Sequence, residues 1–299
     1  MESFKLKIPA SSANMGAGFD SIGLAVQRYL TLDVEPSDAW EFVHQSPSDA
    51  LPTYTVATDH FIYKIAVHIA DKYNQKLSPC KVTMASEIPL ARGLGSSAAA
   101  VVAGIELTNQ ICSLNLTNEQ KLHEATLLEG HPDNVAPSIF GGCIVSNVSE
   151  ADQIHHIKID SMNVDLVIAI PSVELKTEKA RQVLPEEIPF QRAVKASSVG
   201  NLMIAAFLQE DYALAGKMME RDLLHEPYRA RLIPNYKMIR TTARNNGAYG
   251  TVISGSGPTM ISFVPKGKGT KIANILSEQL PDYTIEETVI DQVGLQINS

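Results

Sequence analysis

PLARGLGSSAAAVVAG, residues Pro89 to Gly104, combines three glycines, two adjacent serines and five alanines. Ser96 occupies the position of a helix N-cap, and residues 98–105 favour a helix that is small and apolar on every side and therefore buried. The start of a buried helix leaves several N–H groups that need acceptors. Phosphate oxygens can accept those hydrogens, and glycines at 93 and 95 let the backbone approach them closely. The stretch therefore predicts a phosphate-binding helix N-terminus.

A Walker loop, a dinucleotide fold and a simple glycine turn are the alternatives for this stretch. The chain has no GxxxxGK[ST] string, which a Walker loop requires. GLGSSA fits the loose GxGxx[GA] pattern of dinucleotide folds, but Pro89 and Arg92 lie where such a fold needs a strand. A glycine turn before a buried helix that binds nothing is the plainest alternative. Two further loops rich in glycine and serine, PASSANMGAGFDSIG at residues 9–23 and ISGSGPT at residues 253–259, favour a shared binding site over three unrelated turns.

Composition and charge narrow the class of protein. The 299 residues are 44% apolar, which is enough to fill a real core. A net charge of −8 and a pI near 5.5 argue against nonspecific nucleic-acid binding, which needs a basic face. No stretch approaches the roughly 18 uninterrupted apolar residues of a membrane span, so we expect a soluble, cytoplasmic protein. The spacing of Cys80, Cys112 and Cys143 indicates neither a disulfide framework nor a zinc site.

Both halves of the chain mix strand and helix patterns. YLTLDVEP, residues 29–36, alternates apolar and polar residues with the period of a strand. Apolar residues at three- and four-residue steps behind Thr58 or Asp59 predict an amphipathic helix. Thr117 and Gln120 have the spacing of a capping box, which predicts another helix start. These patterns indicate the α+β class.

The glycine-rich loops together resemble the motifs of the GHMP small-molecule kinase family. PASSANMGAGFDSIG is similar to the PxSSANLGPGFDxxG opening of the homoserine kinases within that family, with Met15 in place of Leu and Ala17 in place of Pro. EGHPDNVAPSIFGG, residues 129–142, resembles their substrate segment, and EPYRARLIP, residues 226–234, resembles a C-terminal signature. The likeness covers essentially the whole chain, and SSAN, GFD and DNVAP are its most specific parts.

The resemblance implies a two-domain α+β GHMP kinase fold. Residues 1–160 are expected to resemble the second domain of ribosomal protein S5 and to bind ATP, and residues 161–299 to form a ferredoxin-like domain, with the active site between them. The implied activity is phosphoryl transfer from MgATP to the side-chain hydroxyl of L-homoserine, which serves threonine biosynthesis. The expected partners are ATP and L-homoserine, with no nucleic acid and no membrane, and a homodimer is a candidate assembly.

The resemblance also implies roles for single residues at the substrate. Asp20 and Asp133 match the family's acids for the ammonium group, to which carboxylates make charge-assisted hydrogen bonds. Arg181 and Arg229 match its arginines for the carboxylate, which a planar guanidinium binds at two points, and His131 assists there. Without the motifs, Asp20 could cap its own turn and the two arginines could form surface ion pairs.

Catalysis is expected to involve Asn14, Asp133 and Asn134. The two asparagines are left for the substrate hydroxyl and for the geometry of the transferred phosphoryl group. Asp133 is the candidate for a general base, because related kinases use an aspartate. If Asp133 is engaged with the ammonium group, the proton goes to the phosphate itself.

ATP and Mg²⁺ are the expected cofactors. Glu129 matches the family's magnesium carboxylate, with Ser97 as its hydroxyl partner and Ser96 as the alternative, although Glu129 could also be a solvated residue of the last helical turn. The predicted nucleotide-binding residues are Pro89, Leu90, Ala91, Arg92, Gly93, Leu94, Gly95, Ser96, Ser97, Ala98, Ala99, Gly255 and Gly257.

Three rival functions remain open. A mevalonate or shikimate kinase of the same family has a substrate without an ammonium group, which would leave Asp20 and Asp133 without a cation. A noncatalytic amino-acid or nucleotide sensor predicts binding without turnover. An S5-like RNA-binding module is disfavoured by the acidic charge and by an aromatic content of 6%.

Overall fold

The computed structural model of the protein describes residues 2–45, 56–151, 153–159 and 162–298. Its strands are β1 Phe4–Ala13, β2 Ile22–Pro36, β3 Glu41–His44, β4 Cys80–Ser86, β5 Cys143–Val148, β6 Ile154–Ile159, β7 Val164–Pro171, β8 Gly250–Ile253, β9 Met260–Pro265, β10 Tyr283–Thr288 and β11 Gln296–Asn298. Its helices are α1 Phe61–Lys72, α2 Ser96–Cys112, α3 Asn118–Glu129, α4 Pro132–Phe140, α5 Thr177–Arg181, α6 Phe190–Leu208, α7 Tyr212–Met219, α8 Glu226–Arg229, α9 Tyr236–Asn245 and α10 Gly269–Gln279. In these described ranges no helix has both the length and the apolar character that crossing a lipid bilayer requires.

The first sheet has seven strands, and the long strand β2 organises it. The order β11-β1-β2-β4-β3 runs across the sheet, while β5 pairs with the start of β2 and β6 pairs with β5. All pairs are antiparallel except β3 with β4. Helices α2 and α4 pack against β1, and α1 packs against α2. Because α2 lies inside this layer, its side chains from Ala98 to Asn109 are buried apart from Ala100.

The second sheet has four antiparallel strands in the order β10-β7-β9-β8. Every residue of β7 is buried. Successive side chains of a strand point to opposite faces. Leu166 and Ile168 accordingly join the core shared with the first sheet, α6 and α7, whereas Val167 and Ala169 join a separate core under α9 and α10. The shared core joins the two sheets, and their loops meet at the same end.

The α+β expectation is confirmed, and so is the capping box of α3, in which Thr117 and Gln120 each bind the other's backbone N–H. The predicted cap of α1 is wrong. Thr58 and Asp59 belong to a short 3-10 turn, and His60 caps the helix by accepting a hydrogen bond from the Ile62 N–H at 3.3 Å. The sequence did not indicate β11, a short strand that pairs with β1. The division of the chain near residue 160 stays a prediction.

Candidate active site

A cavity of about 620 Å³ lies where the loops of the two sheets meet. The loop after β1 and the start of α2 line one side, and α5, α8 and the turn between β8 and β9 line the other. The predicted site residues that line it are Asn14, Asp20, Ala91, Gly93, Gly95, Ser96, Ser97, Ala98, Glu129, His131, Asp133, Asn134, Arg181, Arg229 and Gly255. The three glycine-rich loops, which are far apart in sequence, therefore share one cavity.

Direct hydrogen bonds hold the three loops together. The N–H of Ser11, before the first loop's turn, donates to the carbonyl of Leu94 in the second loop at 3.1 Å. The hydroxyl of Ser254 in the third loop donates to the carbonyl of Gly93 at 2.6 Å and can accept from the hydroxyl of Ser12, which lies 2.8 Å away. Each loop thus touches both of the others, and these hydrogen bonds fix the walls of the cavity between them.

Close packing of these loops explains two of the glycines. Gly93 and Gly95 have φ angles of +75° and +69°, a conformation that L side chains rarely adopt. A Cβ on Gly93 would lie 2.3 Å from the carbonyl oxygen of Ser254, and one on Gly95 would lie 2.1 Å from the hydroxyl oxygen of Ser11. Side chains at these positions would therefore push the loops apart, whether or not a phosphate is bound.

Helix α2 begins at the cavity wall. Ser96 is its first residue, and Gly95, in the left-handed conformation, occupies the N-cap position without a side-chain hydrogen bond. The prediction of Ser96 as the N-cap is therefore wrong, because the tight turn requires a glycine there. The N–H of Ala99 binds the carbonyl of Gly95 at 2.9 Å. The N–H groups of Ser96, Ser97 and Ala98 precede this bond and have no intrahelical acceptor, so this helix end can bind an anion.

Glu129 and Ser97 meet at the same edge of the cavity. Glu129 is the last residue of α3, and Gly130 follows it in the left-handed conformation that ends the helix. The Ser97 hydroxyl donates to Oε1 of Glu129 at 2.5 Å. A hydroxyl and a carboxylate beside an anion-binding helix end are oxygen donors of the kind that Mg²⁺ prefers.

Asp20 and Arg181 form an ion pair across the cavity. The two terminal nitrogens of Arg181 donate to the two carboxylate oxygens of Asp20 at 3.1 and 3.0 Å. Both side chains are more than a third exposed. Asp20 has a φ of +54° and lies in the turn between β1 and β2, whereas Arg181 ends α5. The first and second sheets each contribute one partner.

Arg229 is the buried cation of the cavity. It is 2% exposed; its Nε donates to the carbonyl of Ala180 at 3.1 Å and one terminal nitrogen donates to the carbonyl of Gly255 at 3.2 Å. Burial, and next the charge of Arg181, lower the pKa of Arg229 to about 10. The guanidinium is therefore still cationic at neutral pH. Its hydrogen bonds with the described residues go to these two carbonyls and to the imidazole of His225 rather than to a carboxylate.

His131 and Asp133 form a second polar pair. The Nδ1 atom of His131 lies 2.6 Å from Oδ1 of Asp133, which is buried in the first turn of α4. Burial acts to lower the pKa of His131, but the hydrogen bond to Asp133 and its charge outweigh burial and raise this pKa above its usual value. The pair therefore favours an imidazolium next to a carboxylate.

The two predicted asparagines already make hydrogen bonds within the protein. Asn14 donates from Nδ2 to the carbonyl of Gly255 at 2.8 Å and accepts from the N–H of Asp20 at 3.0 Å. Asn134 accepts a hydrogen bond from the hydroxyl of Ser11 at 3.0 Å. Both side chains line the cavity and at the same time brace its loops.

Several predicted nucleotide-loop residues lie outside the main cavity. The guanidinium of Arg92 donates to the carbonyls of Leu90, Pro171 and Ser172, which fastens the loop to the end of β7. Leu94 is buried in the core, and a Cβ on Gly257 would collide with Ile233. The predicted residues that do not line the main cavity are Pro89, Leu90, Arg92, Leu94, Ala99 and Gly257.

A second cavity of about 280 Å³ opens next to the start of α2. It shares Ser96 and Ser97 with the main cavity, and its other lining residues are mostly apolar: Leu30, His60, Phe61, Ile62, Met84, Ser86, Ile88, Leu90 and Ala100. A flat, partly apolar ring such as a nucleobase suits a lining of this kind. The sequence did not indicate this cavity, because its walls come from four separate elements that each look like ordinary core.

The main cavity also contains polar residues that were not among the predicted site residues, although one of them, Ser256, belongs to the third glycine-rich loop. Lys176, Thr177 and Ser256 line it, and the hydroxyls of Thr177 and Ser256 lie 3.3 Å apart. Thr177 begins α5, a helix too short to give a periodic pattern. The contact of Thr177 with Ser256 depends on how α5 crosses the third loop, which no local motif encodes.

Comparison with known proteins gives a consistent result. The family descriptions "GHMP kinases N terminal domain" and "GHMP kinases C terminal" match residues 60–142 and 203–282. A homoserine kinase of Oceanobacillus iheyensis is 50% identical over 299 residues, covering 99% of both chains. A homoserine kinase of Bacillus velezensis is 45% identical over 291 residues, covering 97% of this chain and 93% of its own.

Solved structures agree with the sequence comparisons. The crystal structure of homoserine kinase from Cytophaga hutchinsonii superposes with a TM-score of 0.83 at 27% identity, covering 99% of this chain and 98% of that one. A mevalonate kinase structure matches at 14% identity with a TM-score of 0.72, a likeness of fold alone. The chain thus belongs to the GHMP kinase family, within its homoserine kinases.

Proposed function

We propose that this protein transfers the γ-phosphoryl group of ATP to the side-chain hydroxyl of L-homoserine and releases O-phospho-L-homoserine and ADP, a step of threonine biosynthesis. One observation carries the proposal: a helix N-terminus suited to phosphate lies in the same cavity as two carboxylates, Asp20 and Asp133, and two guanidinium groups, Arg181 and Arg229. An amino acid bears both an ammonium and a carboxylate, so its recognition needs both signs of charge. The names of the relatives support the same substrate.

The triphosphate of ATP would bind at the start of α2. The N–H groups of Ser96, Ser97 and Ala98 and the positive end of the helix dipole favour an anion. The dipole contributes about 0.3–2 kcal/mol, whereas micromolar-to-millimolar binding needs about 4–8 kcal/mol, so other contacts must supply the difference. The adjoining apolar cavity would bury the base and supply part of it.

Mg²⁺ fits the oxygen donors beside this phosphate site. Mg²⁺ is usually held by one or two carboxylates together with phosphate oxygens. Glu129 would supply the carboxylate and Ser97 the hydroxyl. Within the described ranges no group of three or more His, Cys, Asp or Glu residues could hold a metal by itself, which fits an ion that binds jointly with ATP. When bound, the ion would neutralise charge on the transferred phosphoryl group.

The amino acid would bind by exchanging partners with the ion pair at the cavity mouth. Its ammonium would take the place of Arg181 at the carboxylate of Asp20, and its carboxylate would bind the guanidinium groups of Arg181 and Arg229. The exchange costs little, because an ion pair as exposed as Asp20 with Arg181 is worth about 1 kcal/mol or less. The buried charge of Arg229 would thereby gain a carboxylate partner.

Asp133 is the carboxylate proposed to receive either the hydroxyl proton or the ammonium group, while Asn14 and Asn134 orient the hydroxyl. The variant Asp133→Asn separates the two roles. A loss of kcat with an unchanged KM for homoserine assigns the proton, and a raised KM with most of kcat retained assigns the ammonium group. Wild-type values of both constants would exclude Asp133 from either role.

The proposal includes the organisation of the chain and its location. Residues 1–160 would form the ATP-binding domain and residues 161–299 the second domain, with the cavity between them and with β11 returning to the first sheet. A cytoplasmic location fits a substrate and a nucleotide that are made in the cytoplasm. A homodimer is the proposed assembly, and the molar mass from light scattering tests it.

A coupled assay of ADP release tests the function. The protein is supplied with MgATP and, in parallel, with L-homoserine, L-serine, L-threonine, mevalonate or shikimate. We expect turnover with L-homoserine far above that with the other four. Preferred turnover of mevalonate or shikimate would contradict the proposal, and homoserine binding in calorimetry without ADP release would identify a sensor instead.

A further inference from the structure

We infer that His225, a buried histidine outside the cavity, is a positioning residue that fixes the guanidinium of Arg229 relative to the loop carrying Asn14 and Asp20. The inference rests on the proposed function, because it concerns how Arg229 is presented to the carboxylate of the amino acid. His225 precedes α8, and Arg229 lies one helical turn further on. The motifs that signalled the site did not single out His225.

Two hydrogen bonds define the tautomer of His225. Its side chain is 0% exposed, and its Nε2 lies 2.9 Å from the carbonyl oxygen of Gly16. A carbonyl can only accept, so the proton is on Nε2. The Nδ1 atom lies 3.3 Å from a terminal nitrogen of Arg229. A guanidinium can only donate, so Nδ1 must be unprotonated, and only the neutral Nε2–H imidazole satisfies both partners.

The surroundings keep His225 neutral and in place. Burial lowers the pKa of His225, which opposes formation of the imidazolium. The carboxylate of Asp222 accepts from the backbone N–H groups of Leu224, His225 and Glu226 at 2.9, 2.8 and 2.7 Å, so it holds the backbone at this position. The Oδ2 atom of Asp222 lies 3.7 Å from Nε2 of His225, too far for a hydrogen bond that would compete with Gly16.

Phe19 completes the link between α8 and the first loop. Its ring stacks on the imidazole of His225 with a centroid distance of 5.2 Å and an angle of 19°. The guanidinium of Arg229 also lies 5.2 Å from the centroid of that ring. Gly16 and Phe19 both belong to the loop between Asn14 and Asp20. His225 therefore touches the first loop at two points and the substrate arginine at a third.

The hydrogen bonds of Arg229 set the direction in which its guanidinium points. Two of its hydrogen bonds go to the carbonyls of Ala180 and Gly255, which belong to the second sheet's side of the cavity. The hydrogen bond to His225 connects the guanidinium to the first loop through Gly16 and Phe19, close to Asp20, which receives the other end of the substrate. A second link runs through the carbonyl of Gly255, which also accepts from Asn14. Without the bond to His225 the separation of the two binding points for an amino acid is held less firmly, so binding of homoserine weakens while binding of ATP does not.

Two amide substitutions test the two hydrogen bonds of His225 separately. In His225→Asn the side-chain oxygen can take the place of Nδ1 and still accept from Arg229. In His225→Gln the side-chain nitrogen can take the place of Nε2 and still donate to Gly16, but the acceptor for Arg229 is lost. We expect His225→Gln to raise the KM for homoserine about 10- to 100-fold, the effect of losing a hydrogen bond to a charged group. We expect His225→Asn, which keeps the bond to Arg229 but gives up the one to Gly16, to raise this KM about 3- to 10-fold, the effect of losing a neutral hydrogen bond. Both variants should leave the KM for ATP unchanged.

Matched measurements keep structural damage apart from positioning. Thermal unfolding of both variants and of His68→Gln, an exposed histidine on α1, reports stability. In the background of Arg229→Lys, His225→Gln should have no further effect on the KM for homoserine. An unchanged KM for homoserine in either variant, a parallel rise in the KM for ATP, or additivity with Arg229→Lys would overturn the inference. If His225→Gln does not fold, an unchanged KM for homoserine in His225→Asn overturns it. Absence of homoserine turnover in the wild type would refute the proposed function instead.

Discussion

Arg181 and Asp20 bind each other through two hydrogen bonds, of 3.1 and 3.0 Å, at the mouth of the main cavity, the candidate active site. In the proposed complex Asp20 binds the ammonium group of the amino acid and Arg181 binds its carboxylate. Each side chain of the ion pair thus exchanges its partner for a substrate group of the same charge. Such an exchange keeps each charge partnered before and after binding, which avoids leaving an unpaired ion beside the buried Arg229.

The variant Asp20→Asn tests this exchange. We expect the KM for homoserine to rise about 10- to 100-fold, because a charge-assisted hydrogen bond to the ammonium becomes a neutral one. Steady-state kinetics at saturating ATP measure the effect. Asp33→Asn, which breaks the exposed pair of Asp33 with Lys5, is the control and should behave like the wild type. An unchanged KM for homoserine in Asp20→Asn would remove Asp20 from the substrate site.

The variant Glu129→Gln tests the magnesium site. It removes the charge that pairs with the ion but keeps the shape of the side chain, so the Mg²⁺ concentration for half-maximal activity should rise about 10-fold or more. The KM for homoserine should change little, since Glu129 is assigned to the nucleotide. Glu119→Gln, at the exposed start of the same helix, is the control. An identical Mg²⁺ titration for Glu129→Gln and the wild type would contradict the assignment.

The variant Gly95→Ala tests how tightly the loops are packed. Its Cβ would lie 2.1 Å from the hydroxyl oxygen of Ser11, so the free energy of unfolding should fall by about 2–5 kcal/mol, from backbone strain and overpacking together. Gly267→Ala is the matched control: its φ is +78°, but nothing lies within 4 Å of the added Cβ, so it should lose only about 1–2 kcal/mol. Urea denaturation measures both, and equal losses would show that contact with Ser11 does not matter.

Glu226 gives the stability of the protein a dependence on pH. Burial raises its pKa from the ordinary 4.5 to about 7, against the opposing effects of Tyr236 and Arg240. Between these two values the folded protein binds the proton more tightly than the unfolded chain. The resulting stabilisation is complete below about pH 4.5 and is lost as the pH rises through about 7.

The variant Glu226→Gln should flatten that dependence. Urea denaturation at intervals from pH 5 to 8 should show a decline in the wild-type free energy of unfolding that exceeds the decline in the variant by on the order of 1–3 kcal/mol. Glu278→Gln, exposed on α10, should decline in parallel with the wild type. Parallel curves for Glu226→Gln and the wild type would mean that this carboxyl is not the titrating group.

Local patterns were sufficient for much of the fold. The capping box of Thr117 and Gln120 is a short-range interaction, so it can be predicted from these two residues and their spacing alone. The strand of residues 29–36 was visible because one of its faces is buried in the first sheet. The cap of α1 was misplaced because Thr58 and Asp59 are common capping residues, whereas the imidazole of His60 caps the helix here.

The site was only partly visible from the sequence. The glycine-rich motifs indicated Gly93, Gly95 and Gly255, because backbone positions with a positive φ angle strongly favour glycine. The apolar cavity beside Ser96 has no sequence motif of this kind. In each helix or strand that lines it, the lining residues look like ordinary core residues. The pairing of Asp20 with Arg181 depends on how the two sheets pack against each other, so it cannot be predicted from the residue spacing within one motif.

The most direct test of the account is the identity of the product. The protein is incubated with MgATP and L-homoserine, and the mixture is followed by ³¹P nuclear magnetic resonance with coupling to hydrogen retained. Transfer to the side-chain hydroxyl predicts a new phosphate ester signal that is a triplet, from the neighbouring CH₂ group, growing in step with ADP. Inorganic phosphate as the sole new signal beside ADP, or a new signal without that coupling, would contradict the account.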